Sequence, residues 1–178
     1  MARIWPARAV PASTAIDWEA VYRDYFPRVY NFFRYRISNA TVCEDLTAAT
    51  FEKIWRNRIR YRSEQGAVST WIFTIARRVA IDHWREAQAL PLAVAGDIAS
   101  PEDVAHSVHQ RLDHGRLAGL LAALPARERD LVALKYGARL TNRAIAELTG
   151  LSESNVGTIV ARTVAALRSQ WEEPDGAA

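Results

Sequence analysis

The sequence predicts an all-α fold of two small helical domains joined by a flexible linker. Apolar residues recur at helical spacing from Trp18 to Leu167, and no segment shows the strict alternation typical of a strand. Between two such helical parts, Pro91, Gly96 and Pro101 give residues 88–114 the composition of a linker. The length of 178 residues allows one sizeable core or two small ones, and the linker favours two.

Three helices are predicted in the N-terminal domain. The first covers residues 18–37, with Pro27 as an interior residue, and the second begins at Thr41, where Thr41 and Glu44 form a capping box. The third begins near Ser69 or Thr70. A helix dipole and a DNA backbone would equally favour the cations that crowd the end of the second helix. These cations are Arg56, Arg58, Arg60 and Arg62.

The C-terminal domain contains a pattern of two short helices joined by a tight turn, at residues 141–167. Gly150 suits the end of the first helix, and Ser152 suits the N-cap of the second. In the second helix, Val156 and Val160 would form an apolar stripe that faces the core. The opposite face of that helix would point toward base edges and phosphates. That polar face consists of Glu153, Ser154, Asn155, Thr158 and Arg162. From this stretch alone, an ordinary helical hairpin remains the alternative. Two further helix starts are predicted, at Ser100–Glu102 and at Pro125.

The distribution of charge is more informative than the net charge of +3. Residues 17–87 carry +3 and residues 115–171 carry +4, whereas residues 88–114 and residues 172–178 carry −3 each. Two basic domains tied by an acidic linker are compatible with two DNA contacts, although solvated surfaces produce the same pattern.

Composition excludes several other classes. The single cysteine, Cys43, rules out an internal disulfide and any zinc site with several cysteines. No segment predicts a signal peptide or a membrane span, so we expect a cytoplasmic protein without membrane insertion. His106, His109 and His114 have a spacing that could share a metal, but a solvated helix face explains them better. We expect no metal, no cofactor and no enzymatic activity, since no nucleophile motif, phosphate loop or paired carboxylates occur.

Two sequence strings resemble one known family. EDLTAATFEKIW and the following STWIFTIARRVAIDHWRE resemble region 2 of bacterial sigma factors of the extracytoplasmic-function (ECF) type. LPARERDLVALKYGARLTNRAIAELTGLSESNVGTIVARTVAALR resembles their region 4. The resemblance covers about residues 17–171 and implies five segments. These are an N-terminal extension (1–16), region 2 (17–87), an acidic linker (88–114), region 4 (115–171) and a tail (172–178).

The resemblance implies that the protein binds core RNA polymerase and promoter DNA. Contacts are expected at the beta-prime clamp helices and the beta flap, and an anti-sigma factor is an expected partner. On the second helix, an acidic patch would dock on the clamp helices, with solvation and helix capping as the alternative role. Its residues are Glu44, Asp45 and Leu46.

Region 2 of the family recognises the minus-10 element and captures a flipped nontemplate base. Such capture needs a stacking surface, a polar rim and positive charge. The resemblance assigns these roles to Tyr61, Arg62, Ser63, Glu64, Gln65, Trp71, Arg77, Arg78 and Arg85. Among them, Trp71 also fits an ordinary core position.

Region 4 of the family reads the minus-35 element in the major groove. The residues that the resemblance assigns to this contact are Arg143, Ser152, Glu153, Ser154, Asn155, Thr158, Ile159 and Arg162. Gly157 and Ile159 stand where the family usually has basic residues, which predicts fewer phosphate contacts. Gly157 also weakens the helix unless a close backbone approach compensates. We hypothesise that Ile159 contacts a thymine methyl or packs on a partner.

Two other functions fit parts of the sequence. One is a stand-alone helix-turn-helix regulator, whose N-terminal helices dimerise or sense a ligand. The other is a sigma-like adaptor that binds polymerase without reading DNA, as the uncharged Gly157 and Ile159 would allow. A stand-alone regulator would bind its DNA without polymerase, which distinguishes it from a sigma factor. An adaptor would bind polymerase but would not start transcripts.

Overall fold

The computed structural model describes residues 16–89 and 108–172, which form seven α-helices and no strand. This confirms the predicted all-α class. The helices are α1 (Trp18–Arg34), α2 (Ala40–Asn57), α3 (Val68–Ala89), α4 (Val108–Ala123), α5 (Ala126–Val132), α6 (Asn142–Thr149) and α7 (Glu153–Glu172). A π-helical turn, Ala133–Gly137, directly continues α5. The helix start predicted at Ser100–Glu102 lies outside the described residues.

Side-chain caps fix where the first two helices begin. Asp17 caps α1 by accepting hydrogen bonds from the amides of Glu19 and Ala20, at 3.0 and 3.1 Å. Asn39 caps α2 by accepting from the amide of Val42 at 3.1 Å. The predicted capping box at Thr41 and Glu44 is therefore wrong, because the chain is already helical at Ala40 and Asn39 holds the cap position.

Helices α1, α2 and α3 form an N-terminal unit around buried aromatic residues. Phe32, Phe33 and Phe73 are fully buried, and the rings of Phe32 and Phe73 meet edge to face at 5.8 Å. Thr47 and Thr50 are also buried, and each hydroxyl donates to a carbonyl one turn earlier, at 2.6 and 2.7 Å. These bonds satisfy the hydroxyls inside the core, so the two threonines carry no unpaired polar atom there.

Helices α4 to α7 form a C-terminal unit. Leu131 and Leu134, from α5 and the π-helical turn, are buried together with Ile145 of α6 and Val156 of α7. Pro125 stands at the N-cap of α5, which agrees with the start predicted there. Helix α7 packs against both α5 and α6, and one of its faces stays in solvent.

The two units pack against each other. The buried apolar residues of α1 and α3 and those of the C-terminal unit belong to one continuous cluster, whereas the sequence favoured two separate cores. The two backbones approach each other closely at Gly137, where an added Cβ would lie 2.8 Å from the carbonyl oxygen of Asn31 in α1. Only glycine lets the two backbones come this close without displacement. The described part of the chain is therefore a single packed body.

Candidate nucleic-acid interface

The turn between α6 and α7 is built as the sequence predicts. Gly150 ends α6 in the left-handed conformation, with φ of +73°, and its amide donates to the carbonyl of Ala146 at 2.9 Å. The hydroxyl of Ser152 then accepts from the amide of Asn155 at 3.2 Å and caps α7. Val156 and Val160 are buried below this turn. The turn thus fixes the angle at which α7 leaves α6.

The outer face of α7 is polar and exposed. Its exposed members are the predicted residues Glu153, Ser154, Asn155, Thr158 and Arg162, with Ser152 at the cap. Arg162 lies 3.3 Å from a carboxylate oxygen of Glu128, and Arg143 of α6 lies 3.7 Å from one of Glu147. Exposed pairs of this kind are worth about 0–1 kcal/mol, so both arginines can exchange their partner for a phosphate.

Gly157 and Ile159 are explained by packing inside the C-terminal unit. A Cβ at Gly157 would lie 3.2 Å from Nδ2 of Asn142, whose Oδ1 accepts from Nζ of Lys135 at 2.8 Å. Glycine therefore allows the close approach of α6 and α7 that compensates for its low helix propensity. Ile159 is half-buried and packs against the core, which leaves only part of its side chain for a thymine methyl.

An aromatic cluster lies at the edge of the N-terminal unit. It consists of Trp18, Tyr61 and Trp71, whose ring centres are 5.2 to 6.2 Å apart. The Tyr61 hydroxyl donates to the carbonyl of Gly66 at 2.9 Å and closes the loop between α2 and α3. Burial raises the pKa of that hydroxyl, and nearby Tyr25 and Glu64 raise it further. All three rings are only partly buried, so the cluster supports the loop and still presents aromatic surface.

The loop beside the aromatic cluster carries polar and basic side chains in solvent. A short 3-10 turn, Ser63–Gln65, exposes Ser63, Glu64 and Gln65. Arg62 is exposed too, and its Nη1 donates to the carbonyl of Ile59 at 2.7 Å. The structure therefore brings four of the predicted minus-10 residues together next to Tyr61.

The three arginines predicted on α3 differ in their surroundings. Arg78 and Arg85 are exposed. Arg77 is instead held by the C-terminal unit: its Nη2 and Nε donate to Asp130 at 2.9 and 3.2 Å, and its Nη1 donates to the carbonyl of Leu148 at 2.5 Å. In this arrangement the Arg77 guanidinium is not available to a phosphate, contrary to its predicted role.

The acidic patch on α2 is smaller than predicted. Glu44 and Asp45 are exposed, one turn into the helix. Leu46 is only 9% exposed and belongs to the apolar core of the N-terminal unit, which removes its side chain from the surface. Because Asn39 caps α2, the Glu44 carboxylate is not needed as a cap. The surface that remains for docking consists of the two carboxylates.

The described ranges, residues 16–89 and 108–172, contain neither a metal-binding group nor a membrane-spanning helix. There, no three His, Cys, Asp or Glu side chains are grouped to hold a metal ion. His106 and the side chains of His109 and His114 lie outside what the structure describes. Among the described helices, none combines the length and apolar character that crossing a membrane requires.

Comparison with known families decides the identity of the chain. The family model of Sigma-70 region 2 matches residues 21–90, and that of Sigma-70 region 4 matches residues 114–167. The chain belongs to the sigma-70 family, as a sigma factor of the ECF type. As an alternative sigma factor, it binds core RNA polymerase and promoter DNA and directs transcription initiation.

Individual relatives agree with this assignment. The ECF RNA polymerase sigma factor RpoE of Cereibacter sphaeroides is 30% identical over 83% of this chain and 80% of its own length. The ECF RNA polymerase sigma factor SigL of Mycobacterium tuberculosis is 26% identical over 97% of both chains. The fold is similar to that of the sigma factor RpoE, solved in complex with the anti-sigma factor NepR from Bartonella quintana. That match has a TM-score of 0.68 at 17% identity and covers 88% of this chain and 98% of that chain.

Sequence reasoning missed two features of this sigma factor. Trp18 is predicted as part of the helical stripe of α1, but its ring completes the aromatic cluster. Nothing in the sequence around Asp130 indicates a role, yet its carboxylate binds two arginines that lie 94 and 53 residues earlier in the chain. No local signal could have found either residue, because both roles depend on contacts between helices that are distant in sequence.

Proposed function

We propose that this sigma factor divides promoter recognition between its two units. The N-terminal unit docks on the clamp helices of polymerase and traps unpaired minus-10 bases, and the C-terminal unit reads the minus-35 duplex. In the proposed division, residues 17–87 and 115–171 are the functional segments, joined by the acidic linker 88–114. The observation that carries the proposal is the exposed polar face of α7, set at a fixed angle by Gly150 and Ser152.

Major-groove recognition by α7 is supported by the chemistry of its outer face. Asn155 offers an amide that can bond to adenine in two places, and Thr158 offers a hydroxyl and a methyl group. Arg162 and Arg143 stand on neighbouring helices and supply charge for the flanking phosphates. The absence of charge at Gly157 and Ile159 leaves this set small, so we expect a modest dependence on salt.

Minus-10 capture by the N-terminal unit is supported by the aromatic cluster. Stacking of a base on an aromatic ring is worth about 1–3 kcal/mol and does not depend on which base stacks. Tyr61 lies between the two tryptophans and the exposed loop residues. Arg62 and Arg78, which are both exposed, provide positive charge for the unpaired strand.

Docking on polymerase uses two further surfaces in this proposal. Glu44 and Asp45 would face the clamp helices through α2. In the C-terminal unit, an apolar groove of about 260 Å³ between α4, α5 and α7 would receive the beta flap. Its lining includes Leu117, Leu121, Val132, Leu167 and Trp171. We place this activity in the cytoplasm, without catalysis by the chain itself, and expect an anti-sigma factor to control it.

Run-off transcription on a pooled genomic library, with purified core polymerase, tests the proposal. We expect transcript starts that require the protein and share two motifs at fixed spacing. Asn155→Ala should change the preferred bases of the upstream motif only, and Tyr61→Ala should weaken use of the downstream motif. Ser169→Ala, an exposed change elsewhere on α7, is the matched control and should leave both motifs unchanged.

Two outcomes would contradict the proposal. Binding to core polymerase without any transcript starts would indicate the adaptor instead. Tight and specific duplex binding without polymerase would indicate a stand-alone regulator.

A further inference from the structure

Three residues of the C-terminal unit meet where α6 lies against α7. Asn142 is the first residue of α6, Lys135 lies in the π-helical turn, and Gly157 lies in the second turn of α7. Oδ1 of Asn142 accepts a hydrogen bond from Nζ of Lys135 at 2.8 Å. Its Nδ2 lies 3.2 Å from the place that a Cβ of Gly157 would take. The amide of Asn142 therefore stands between a lysine and the backbone of α7.

Lys135 fixes which way this amide faces. An ammonium group carries donors and no acceptor, so only the oxygen of the amide can point toward it. The NH2 group of Asn142 consequently points toward Gly157. Within residues 16–89 and 108–172, no acceptor is bonded to Nδ2, and the buried side-chain atoms that lack a partner are Nε of Arg36 and Nε of Arg129. Nδ2 is thus an unpaired donor that remains open to solvent.

The unpaired donor stands beside a gap in the polar face of α7. Ser154, nearly one turn before Gly157, and Thr158, directly after it, are both exposed. Gly157 itself has no side chain, so α7 offers no polar group at this position. The Nδ2 atom of Asn142 lies within the reach that a side chain at position 157 would have. A donor from α6 therefore takes the place of a missing donor on α7.

The charge of Lys135 strengthens this donor. Hydrogen bonds in a chain polarise one another, so an amide whose oxygen accepts from a cation donates more strongly through its nitrogen. Lys135 is half-buried, and its ammonium group lies on the oxygen side of the amide. The exposed Arg143, next to Asn142 in the chain, adds further positive charge. An acceptor that approaches α7 at Gly157 would thus meet a polarised donor near two cations.

We propose that Asn142 contacts the minus-35 duplex, with Lys135 as the residue that positions its amide. The NH2 group donates to an acceptor of the DNA beside Gly157, either a phosphate oxygen or an atom of a base edge. Neither Asn142 nor Lys135 belongs to the set of minus-35 residues that the sequence predicts. The inference rests on the proposed reading of the minus-35 element by the C-terminal unit.

Asn142→Asp tests the donor on the full chain. A carboxylate has nearly the same shape and still accepts from Lys135, but it has no hydrogen to donate. Thermal stability should stay unchanged or rise, because the contact with Lys135 becomes an ion pair. On the promoter that gives the strongest protein-dependent start in the genomic library, run-off transcription should fall by roughly tenfold or more, since the DNA then faces a negative charge.

Gln170→Glu is the matched control for the added charge. It introduces the same charge at an exposed position of α7, about 20 Å along the helix from Gly157. Transcription from the same promoter should be unchanged in this variant.

A relocated donor separates contact with DNA from packing. Asn142→Ala should lower transcription about 3- to 10-fold, the loss expected for one hydrogen bond. Combining Asn142→Ala with Gly157→Asn places the amide on α7, in the space that the first change opens, and should restore most of the transcription. Combining Asn142→Ala with Gly157→Ala fills the same space without a donor, so it should restore thermal stability alone.

The positioning role of Lys135 is tested in two backgrounds. Lys135→Met should lower transcription about twofold or more, because the amide of Asn142 can then turn its oxygen toward the DNA. Lys135→Arg keeps a donor and should restore it. In the double variant that carries its amide on α7, Lys135→Met should have no effect, since no amide on α6 remains to be oriented.

A promoter library with a randomised minus-35 element distinguishes the two DNA acceptors. For a phosphate oxygen, Asn142→Ala should reduce transcription equally on all sequences. For a base edge, it should relax the preference at one position. Both results agree with a donor that reaches the DNA.

Each failure has a separate meaning. Unchanged transcription in Asn142→Asp, or equal recovery in the alanine and asparagine double variants, would overturn the DNA contact of Asn142. An equal effect of Lys135→Met in both backgrounds would overturn its positioning role. No protein-dependent starts from the unchanged protein would instead overturn the proposed function.

Discussion

The outer faces of α7 and α3 both carry arginines that are proposed to contact DNA, yet the surroundings of these arginines differ. On α7, Arg162 has a 71% exposed side chain and a single carboxylate at 3.3 Å. On α3, Arg77 has a 27% exposed side chain and is bound by a carboxylate and a helix-end carbonyl. An exposed pair exchanges readily with solvent and phosphate, whereas a half-buried one must be separated first.

The difference shows how packing between the units affects each proposed DNA surface. The C-terminal DNA surface needs no rearrangement, since its residues already face solvent. On the N-terminal unit, Arg77 instead faces Asp130 and the carbonyl of Leu148. Packing between the units thus removes one proposed DNA contact of α3 from solvent and leaves those of α7 accessible.

The largest effect is expected from Gly137→Val, which disrupts a close backbone contact between the two units. The added Cβ would lie 2.8 Å from the Asn31 carbonyl oxygen and 3.0 Å from backbone carbons, none of which can rotate away. We expect a loss of about 1–3 kcal/mol in the free energy of unfolding and a larger radius of gyration. Urea denaturation and small-angle scattering measure these quantities.

Gly119→Ala is the matched control for that change. Nothing lies within 4 Å of a Cβ at Gly119 in α4, so alanine should keep or raise stability by up to about 1 kcal/mol. Equal stabilities of the Gly137 and Gly119 variants would argue against a tight contact between α1 and the π-helical turn.

Asn155→Ala is expected to have the next largest effect, on recognition and not on folding. Asn155 is exposed, and loss of a two-point bond to adenine costs about 1–3 kcal/mol of base discrimination, or roughly 10- to 100-fold. A competition assay with minus-35 variants, in the presence of polymerase, measures it. Equal loss on every promoter sequence would mean that Asn155 contacts the DNA backbone only.

Arg77→Ala and Arg78→Ala compare the loss of a half-buried arginine of α3 with the loss of an exposed one. The exposed Arg78 has only a phosphate contact to lose, so its removal should weaken promoter binding and reduce the slope of log affinity against log salt by up to ~0.9. Removing Arg77 breaks its bonds to Asp130 and to the carbonyl of Leu148, whereas Arg36 still pairs with Asp130. Arg77→Ala should therefore lower the free energy of unfolding by about 1–3 kcal/mol, whereas Arg78→Ala should leave it within about 0.5 kcal/mol. Urea denaturation measures both, and equal values would contradict a structural role of the Arg77 bonds.

The smallest effect concerns Cys43, which is buried in the N-terminal unit. Burial raises the pKa of its thiol from an ordinary value of 9.0 to about 11, so the folded state holds the proton more tightly than the unfolded state. That contribution to stability is complete below pH 9 and disappears as the pH rises through 11. The unfolding free energy should fall less steeply over this window in Cys43→Ala. Parallel pH profiles would show that the thiol has the same pKa in the folded and unfolded states.

Much of the fold could be predicted because its signals are local. Gly150 and Ser152 stand at the turn of the helix-turn-helix for reasons that act within three residues, namely positive φ and an N-cap bond. Val156 and Val160 follow helical spacing and are buried as expected. The capping box predicted at Thr41 is wrong because Asn39 offers an equally good capping side chain two residues earlier.

The candidate site was predicted in part. The exposed residues of α7 and of the loop after Tyr61 follow from which helix positions cannot be buried. Leu46 and Ile159 were predicted as contact residues, but both are apolar and pack in or against the core. Whether a single leucine or isoleucine faces its own core or a partner depends on neighbours that are far away in sequence.

By itself, the sequence determined the helices, their polar and apolar faces, and the family to which the chain belongs, because spacing, caps and motifs act over a few residues. Only the tertiary structure decided that the two units meet, that Asp130 binds Arg36 and Arg77, and that Gly137 touches Asn31. The physical reason is that an ion pair and a backbone contact depend on distances in space. Here those distances join residues that are 53 to 106 positions apart in the chain.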